Sequence, residues 1–177
     1  MEKTGAALGP AGFMVFALVD NPSAQTASAV AVAVQAKDAS GRLLGKNSGQ
    51  IAQIRPGHKQ AIGLHVTVPA RAIPATFEAT ITGVRWRESG AGELVEVVEA
   101  AFADDPKLPA VRVRLVNHAG SPERASVTAV CFDDAGQIRG GGAQIVSMGA
   151  SPAGVDVQIA VSLPVTPASC QAFDTTN

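Results

Sequence analysis

Apolar and polar positions alternate with period two along much of this chain. Val30, Val32 and Val34 alternate with Ala31, Ala33 and Gln35, and Val111, Val113 and Leu115 alternate with Arg112 and Arg114. That spacing gives an extended segment one apolar face, so it predicts half-buried β-strands. The alternating stretches break at clusters of turn-forming residues: Asn21-Pro22-Ser23, Asp38-Ala39-Ser40-Gly41, Arg55-Pro56-Gly57, His118-Ala119-Gly120-Ser121-Pro122, Asp134-Ala135-Gly136 and Ser151-Pro152-Ala153-Gly154. Short strands at such intervals predict an all-β sandwich or barrel. The segment from Glu93 to Ala103 is less clear, because Leu94, Val97, Val98, Ala101 and Phe102 fall at helical spacing. It leads through Asp104-Asp105-Pro106 into the strand at Val111, which favours a strand over an amphipathic helix.

The turns recur in order. Asp133 follows Asp38 by 95 residues, and the same offset relates Gly136 to Gly41, Val161 to Val66 and Pro164 to Pro69, while Gln144-Ile145 follow Gln50-Ile51 at 94. Recurrence of turn, glycine and proline positions together predicts an internal duplication, with similar β-domains spanning 1–90 and 91–177. The boundary falls in the polar stretch Arg87-Glu88-Ser89-Gly90-Ala91-Gly92.

Three short motifs carry a family resemblance. A strand ends in an apolar residue and Asn (Leu18 to Asn21, Leu115 to Asn117), a long strand closes on Phe132-Asp133-Asp134-Ala135-Gly136, and another runs to Arg55-Pro56-Gly57. Together they resemble the bacterial FxLYD domain. The resemblance implies an immunoglobulin-like β-sandwich for each repeat, hence an all-β chain of two tandem domains, and a setting among extracytoplasmic proteins and lipoproteins. The first repeat departs from the pattern with Lys37 where an aromatic is expected, and the second has Ala150-Ser151-Pro152 in place of the Pro-Gly pair.

The two cysteines extend the repeat register. At the 95-residue offset Cys131 corresponds to Ala36 and Cys170 to Ala75, and both positions are in phase with apolar faces. Small residues at both places in one repeat and cysteines at both in the other predict a Cys131–Cys170 disulfide and an oxidising compartment. Two buried free thiols are the competing reading. The apolar run from Gly12 to Val19 is too short for a membrane span. The first residues lack an apolar stretch of signal-peptide length, so an exported protein would have its signal or anchor outside this chain.

Composition narrows the chemistry. Hydrophobic residues make up 46% and charged residues 16%, with one Trp, no Tyr and a net charge of -1, which disfavours disorder and a basic nucleic-acid-binding surface. His58, His65 and His118 lack metal-ligand spacing, and the neighbouring acids Asp104-Asp105 and Asp133-Asp134 fit turns better than catalytic or calcium sites. Gly140-Gly141-Gly142 precedes a strand and fits a flexible loop or bulge, with no Lys-Ser or Lys-Thr of a phosphate loop. No nucleophile elbow occurs. The expectation is therefore no catalytic residue, metal or cofactor.

Arg85, Arg87, Arg112 and Arg114 recur on strand faces, a candidate interaction surface if they are not simply solvated. Trp86 has the opposite phase from its arginine neighbours and is expected to plug the end of a sandwich or the joint between domains; exposure would instead make it a binding edge. The sequence thus predicts an extracytoplasmic, non-enzymatic module that binds a protein or cell-envelope component. Its alternative is a structural subunit that self-associates through sheet edges.

Overall fold

In the computed structural model, which describes residues 1–9, 12–88, 95–103, 105, 108–150 and 153–174, the chain is all-β. The first half contributes β1 (Lys3–Gly9), β2 (Gly12–Asp20), β3 (Thr26–Lys37), β4 (Leu43–Ile54), β5 (Lys59–Val66) and β6 (Thr76–Arg87). The second contributes β7 (Val95–Ala103), β8 (Ala110–Asn117), β9 (Glu123–Phe132), β10 (Ile138–Met148), β11 (Val155–Ala160) and β12 (Ser169–Asp174). Four antiparallel three-stranded sheets result, ordered β1-β2-β5, β4-β3-β6, β11-β8-β7 and β10-β9-β12. The last two pairings repeat the first two with the strand numbers advanced by six. The segment weighed between strand and helix is strand from Val95 to Ala103; Glu93, Leu94 and the boundary at Ser89 to Gly92 lie outside the described residues.

Alternation on β3 and β8 places the cores. Val30, Val32, Val34 and Ala36 meet Val15, Ala17 and Val19 of β2 in one buried cluster, which packs sheet β4-β3-β6 on sheet β1-β2-β5. Val111, Val113 and Leu115 of β8 meet Val127, Ala129 and Cys131 of β9 in a second, which packs sheet β11-β8-β7 on sheet β10-β9-β12. A third cluster joins the halves: Ala7, Phe16, Leu18 and Ala61 from the first pack on Val130, Phe132 and Ile138 from the second. The sheets therefore stack as four layers, with β1-β2-β5 and β10-β9-β12 inside.

This stacking changes the meaning of the apolar runs. Strands covered on one face alternate, but β2 and β9 sit in layers covered on both, and Val15 to Val19 and Val127 to Phe132 are buried without interruption. The apolar stretch around Gly12 to Val19 is a doubly covered strand. Among the described residues no helix is long and apolar enough to cross a membrane.

The glycine triplet belongs to the same packing and is strand, not a flexible loop. The register of β10 against β9 slips between Ile138 and Gly140, and a Cβ on Gly141 would run into Ala129 O of the neighbouring β9 and lie 3.0 Å from the Phe16 ring of the facing sheet. Gly5 on β1 is similarly constrained, since a Cβ there would stand 2.5 Å from that of Ile138. Close approach of two inner sheets requires the missing side chains.

Candidate functional site

The residues singled out by sequence fall into three places. The first is the cysteine pair. Cys131 and Cys170 form a disulfide, directly opposite each other on β9 and β12 with their Cα atoms 4.1 Å apart. The corresponding pair in the first half is not Ala36 with Ala75. Ala36 on β3 faces Phe77 on β6, and Ala75 is an exposed residue before β6 whose N–H donates to Lys37 O. A sequence offset of 95 holds for the middle strands but drifts to 93 at the last, because the connections before β6 and β12 differ in length. The disulfide thus replaces a small-large contact, Ala36 beside a Phe77 ring that packs 5.1 Å from Phe13.

The second place is the pair of asparagine and aspartate turns. Asn21 and Asn117 are each 2% exposed at the ends of β2 and β8. The Asn21 amide donates to Gln25 O and Ile54 O, both at 2.8 Å, and the Asn117 amide donates to Ser121 O and Gly149 O, both at 2.7 Å. Each ties its own turn to the end of a strand in the facing layer. Asp38 accepts from the Ser40 hydroxyl and from the Ser40 and Arg42 N–H groups, which holds its carboxyl down to about 2 against solvation loss acting the other way. The N–H of Gln137 and the Arg139 guanidinium likewise lower Asp133. Gly41 and Gly136 follow with φ of 83° and 68°, a left-handed turn position where glycine is unstrained. These carboxylates are engaged in turns and are not arranged as an acid-base dyad. Asp104 lies outside the described residues.

The histidines are equally ordinary. The His118 ring nitrogen lies 2.9 Å from Glu96 on an exposed face, His65 is half-buried on the side of β5 turned from the first core, and His58 is exposed in a turn. Among the described residues no three His, Cys, Asp or Glu side chains converge as a metal site. A cleft of about 250 Å³ between the halves has Arg55, His58 and Lys59 on one wall and Glu96 and Asp174 on the other. Its cation Lys59 is raised by its bond to Glu2 and so is already engaged.

The third place is the arginine set, which the fold divides. Arg112 and Arg114 project from β8 on the outer face of sheet β11-β8-β7, where Arg114 lies 3.3 Å from Asp156. Arg85 and Arg87 lie on β6, in the outer sheet at the opposite end of the stack. They do not form one surface with Arg112 and Arg114.

Trp86 does not plug a sandwich end or the joint. It is 50% exposed, opposite Ala27 of β3 and therefore on the core-facing side of β6, beyond the cover of the second layer. Ile81, opposite Val32, and Val84, two residues before Trp86, share that face and are 40% and 37% exposed. Apolar residues stay on one face although their spacing shifts, because Ile81 pairs with Val32 and Gly83 with Ala31, leaving Thr82 as the extra residue of a bulge. The glycine within this strand pattern was the sequence signal for that bulge.

At β6 these exposed apolar side chains lie beside a sheet edge. Sheet β4-β3-β6 ends at β6, twelve residues long, and among the described residues β3 is its only hydrogen-bonded neighbour. The opposite side of the same half is closed, with the Asn47 amide on β4 donating to His65 O on β5 at 2.7 Å. No family model, curated protein or solved structure matches this chain.

Proposed function

We propose that the protein is a non-catalytic binding module of an extracytoplasmic compartment, built from two immunoglobulin-like β-sandwiches related by internal duplication, and that it engages a protein partner along β6. The observation that carries this reading is the edge of β6, unpaired among the described residues, with Ile81, Val84 and Trp86 exposed beside Arg85 and Arg87. An exposed edge supplies backbone donors and acceptors to an added strand, while a Trp and flanking arginines supply anchoring and orientation. The repeated strand order, the paired Asn and Asp turns and the FxLYD-like motifs support the duplicated sandwich. The disulfide supports the compartment.

A photo-crosslinking amino acid at position 86, compared with one at exposed Ile145 on β10, tests the site in the native envelope fraction. One dominant adduct at 86 and none at 145 is the expected result. No adduct at 86, or equal adducts at both, overturns the reading.

A further inference from the structure

Among the described residues eight strands lie at sheet edges, and β6 differs from the rest in how little protects it. Strand β4 is stitched to β5 by Asn47, β10 is bridged to Ser162 through Gly141, β7 is bulged between Val97 and Glu99 and carries two glutamates, and β11 and β12 have six residues each. Strand β1 packs its Ala7 into the joint between the halves. Among the described residues only β6 combines length, the β-forming residues Thr80, Ile81, Thr82 and Val84, and an exposed apolar stripe.

The sequence of β6 is also complementary to itself. Fold two copies antiparallel about the Thr82-Gly83 bulge, and Thr82 of one faces Gly83 of the other. Ile81 then faces Val84, Thr80 faces Arg85, Ala79 faces Trp86 and Glu78 faces Arg87. Without the bulge these partners would fall on opposite faces of the sheet, since side chains alternate. With it, Ala79 and Ile81 before the bulge share the core-facing side with Val84 and Trp86 after it, and Glu78, Thr80, Arg85 and Arg87 share the other. Every pair therefore matches in face. Large also meets small, for Trp86 would lie between Ala27 of its own chain and Ala79 of the second copy. Charge matches at both ends, with Glu78 opposite Arg87 twice by symmetry. Neither Arg85 nor Arg87 has an ion pair among the described residues, and the half-exposed Glu78 meets only Lys37 there.

We infer that the partner of the β6 edge is a second copy of this chain, joined by antiparallel β6–β6 pairing into a two-fold dimer with a continuous six-stranded outer sheet. The inference rests on the β6 binding reading and names its occupant. The interface is isologous, so each copy supplies both halves of each charge pair. Residues Glu78 to Arg87 would each gain a cross-strand neighbour.

Sedimentation across a concentration series, with emission of the single Trp86 followed in parallel, tests it. The expected result is a monomer-dimer equilibrium, with Trp86 emission moving to shorter wavelength as the dimer forms. Glu78→Arg places arginines opposite arginines, and Arg87→Glu places glutamates opposite glutamates; each weakens the dimer about tenfold or more. The combined E78R/R87E variant restores complementarity and regains the dimer, which a general loss of fold or of a different contact would not do. A chain that stays monomeric throughout, a dimer indifferent to Arg87→Glu, or a double variant that fails to recover overturns the inference. In a monomeric chain, a Trp86 adduct of some other mass leaves the binding reading standing and removes only self-pairing; absence of both adduct and dimer removes the two together.

Discussion

Two asparagines do at the residue scale what no apolar side chain could. Asn21 and Asn117 are buried at strand ends where the backbone turns away from its ladder, and their amides donate to two carbonyls each; Gln25 O also accepts from the Ser23 hydroxyl. The Asn21 carbonyl oxygen further accepts from the Ser23 N–H and hydroxyl, and that of Asn117 accepts from the Ala119 N–H at 2.9 Å. Alanine at either position removes every one of these bonds, and at position 21 it takes the amide donor from the buried Ile54 O. Asn21→Ala and Asn117→Ala should each cost about 3 kcal/mol, with Asp in place of Asn no better because it loses both donors. Chemical denaturation gives the answer directly; a loss below about 1 kcal/mol would mean that water replaces the amide and that the asparagines are not the staples of these turns.

At the scale of elements, the cysteine bond holds the shortest edge of the inner layers. Strand β12 has six residues and, among the described residues, pairs in its sheet with β9 alone, with Gln60 of β5 donating to Asp174 O at its end; the disulfide ties it to β9 across a separation of 39 residues. Reduction should lower stability by about 4 kcal/mol in the chain-entropy description. Denaturation midpoints with and without reductant would reveal it, and a C131A/C170A variant should show no response to reductant. An unchanged midpoint in the unaltered chain would mean that β12 packing alone suffices. Strand identity, the turns and this bond were legible in the sequence because each rests on local chemistry: alternation, φ-permissive glycines, and cysteines in phase with apolar neighbours. The precise mate of Ala36 was not, since Phe77 rather than Ala75 faces it and loop lengths before the last strand of each half are free to differ. The exposure of Trp86 was also hidden, because its phase is inward and only the reach of the neighbouring layer decides whether an inward residue is covered.

For the whole molecule, the unusual feature is that the two halves share a core instead of meeting at a polar joint. Phe16 is fully buried between the inner sheets, with Val130, Phe132 and Ile138 facing it and its neighbours, and the Lys3 ammonium donates to Gly136 O across the same joint at 2.6 Å. Contacts between separate domains of one chain are commonly polar and permit relative motion. Here the stability of β2 depends on β9 and the reverse, so the halves should unfold as one unit. In denaturant, Trp86 emission, which reports on the first half, and far-ultraviolet circular dichroism, which reports on all strands, should coincide. Phe16→Ala should cost about 4 kcal/mol by leaving a cavity in the joint. It should also separate the two signals, the Trp86 transition coming first because the second half retains its disulfide. Coincident transitions in the variant would mean that the remaining contacts at Leu18, Ala61 and Ile138 are enough to couple the layers, and that the glycines at positions 5 and 141, by letting the sheets approach, matter more to the joint than the ring they accommodate.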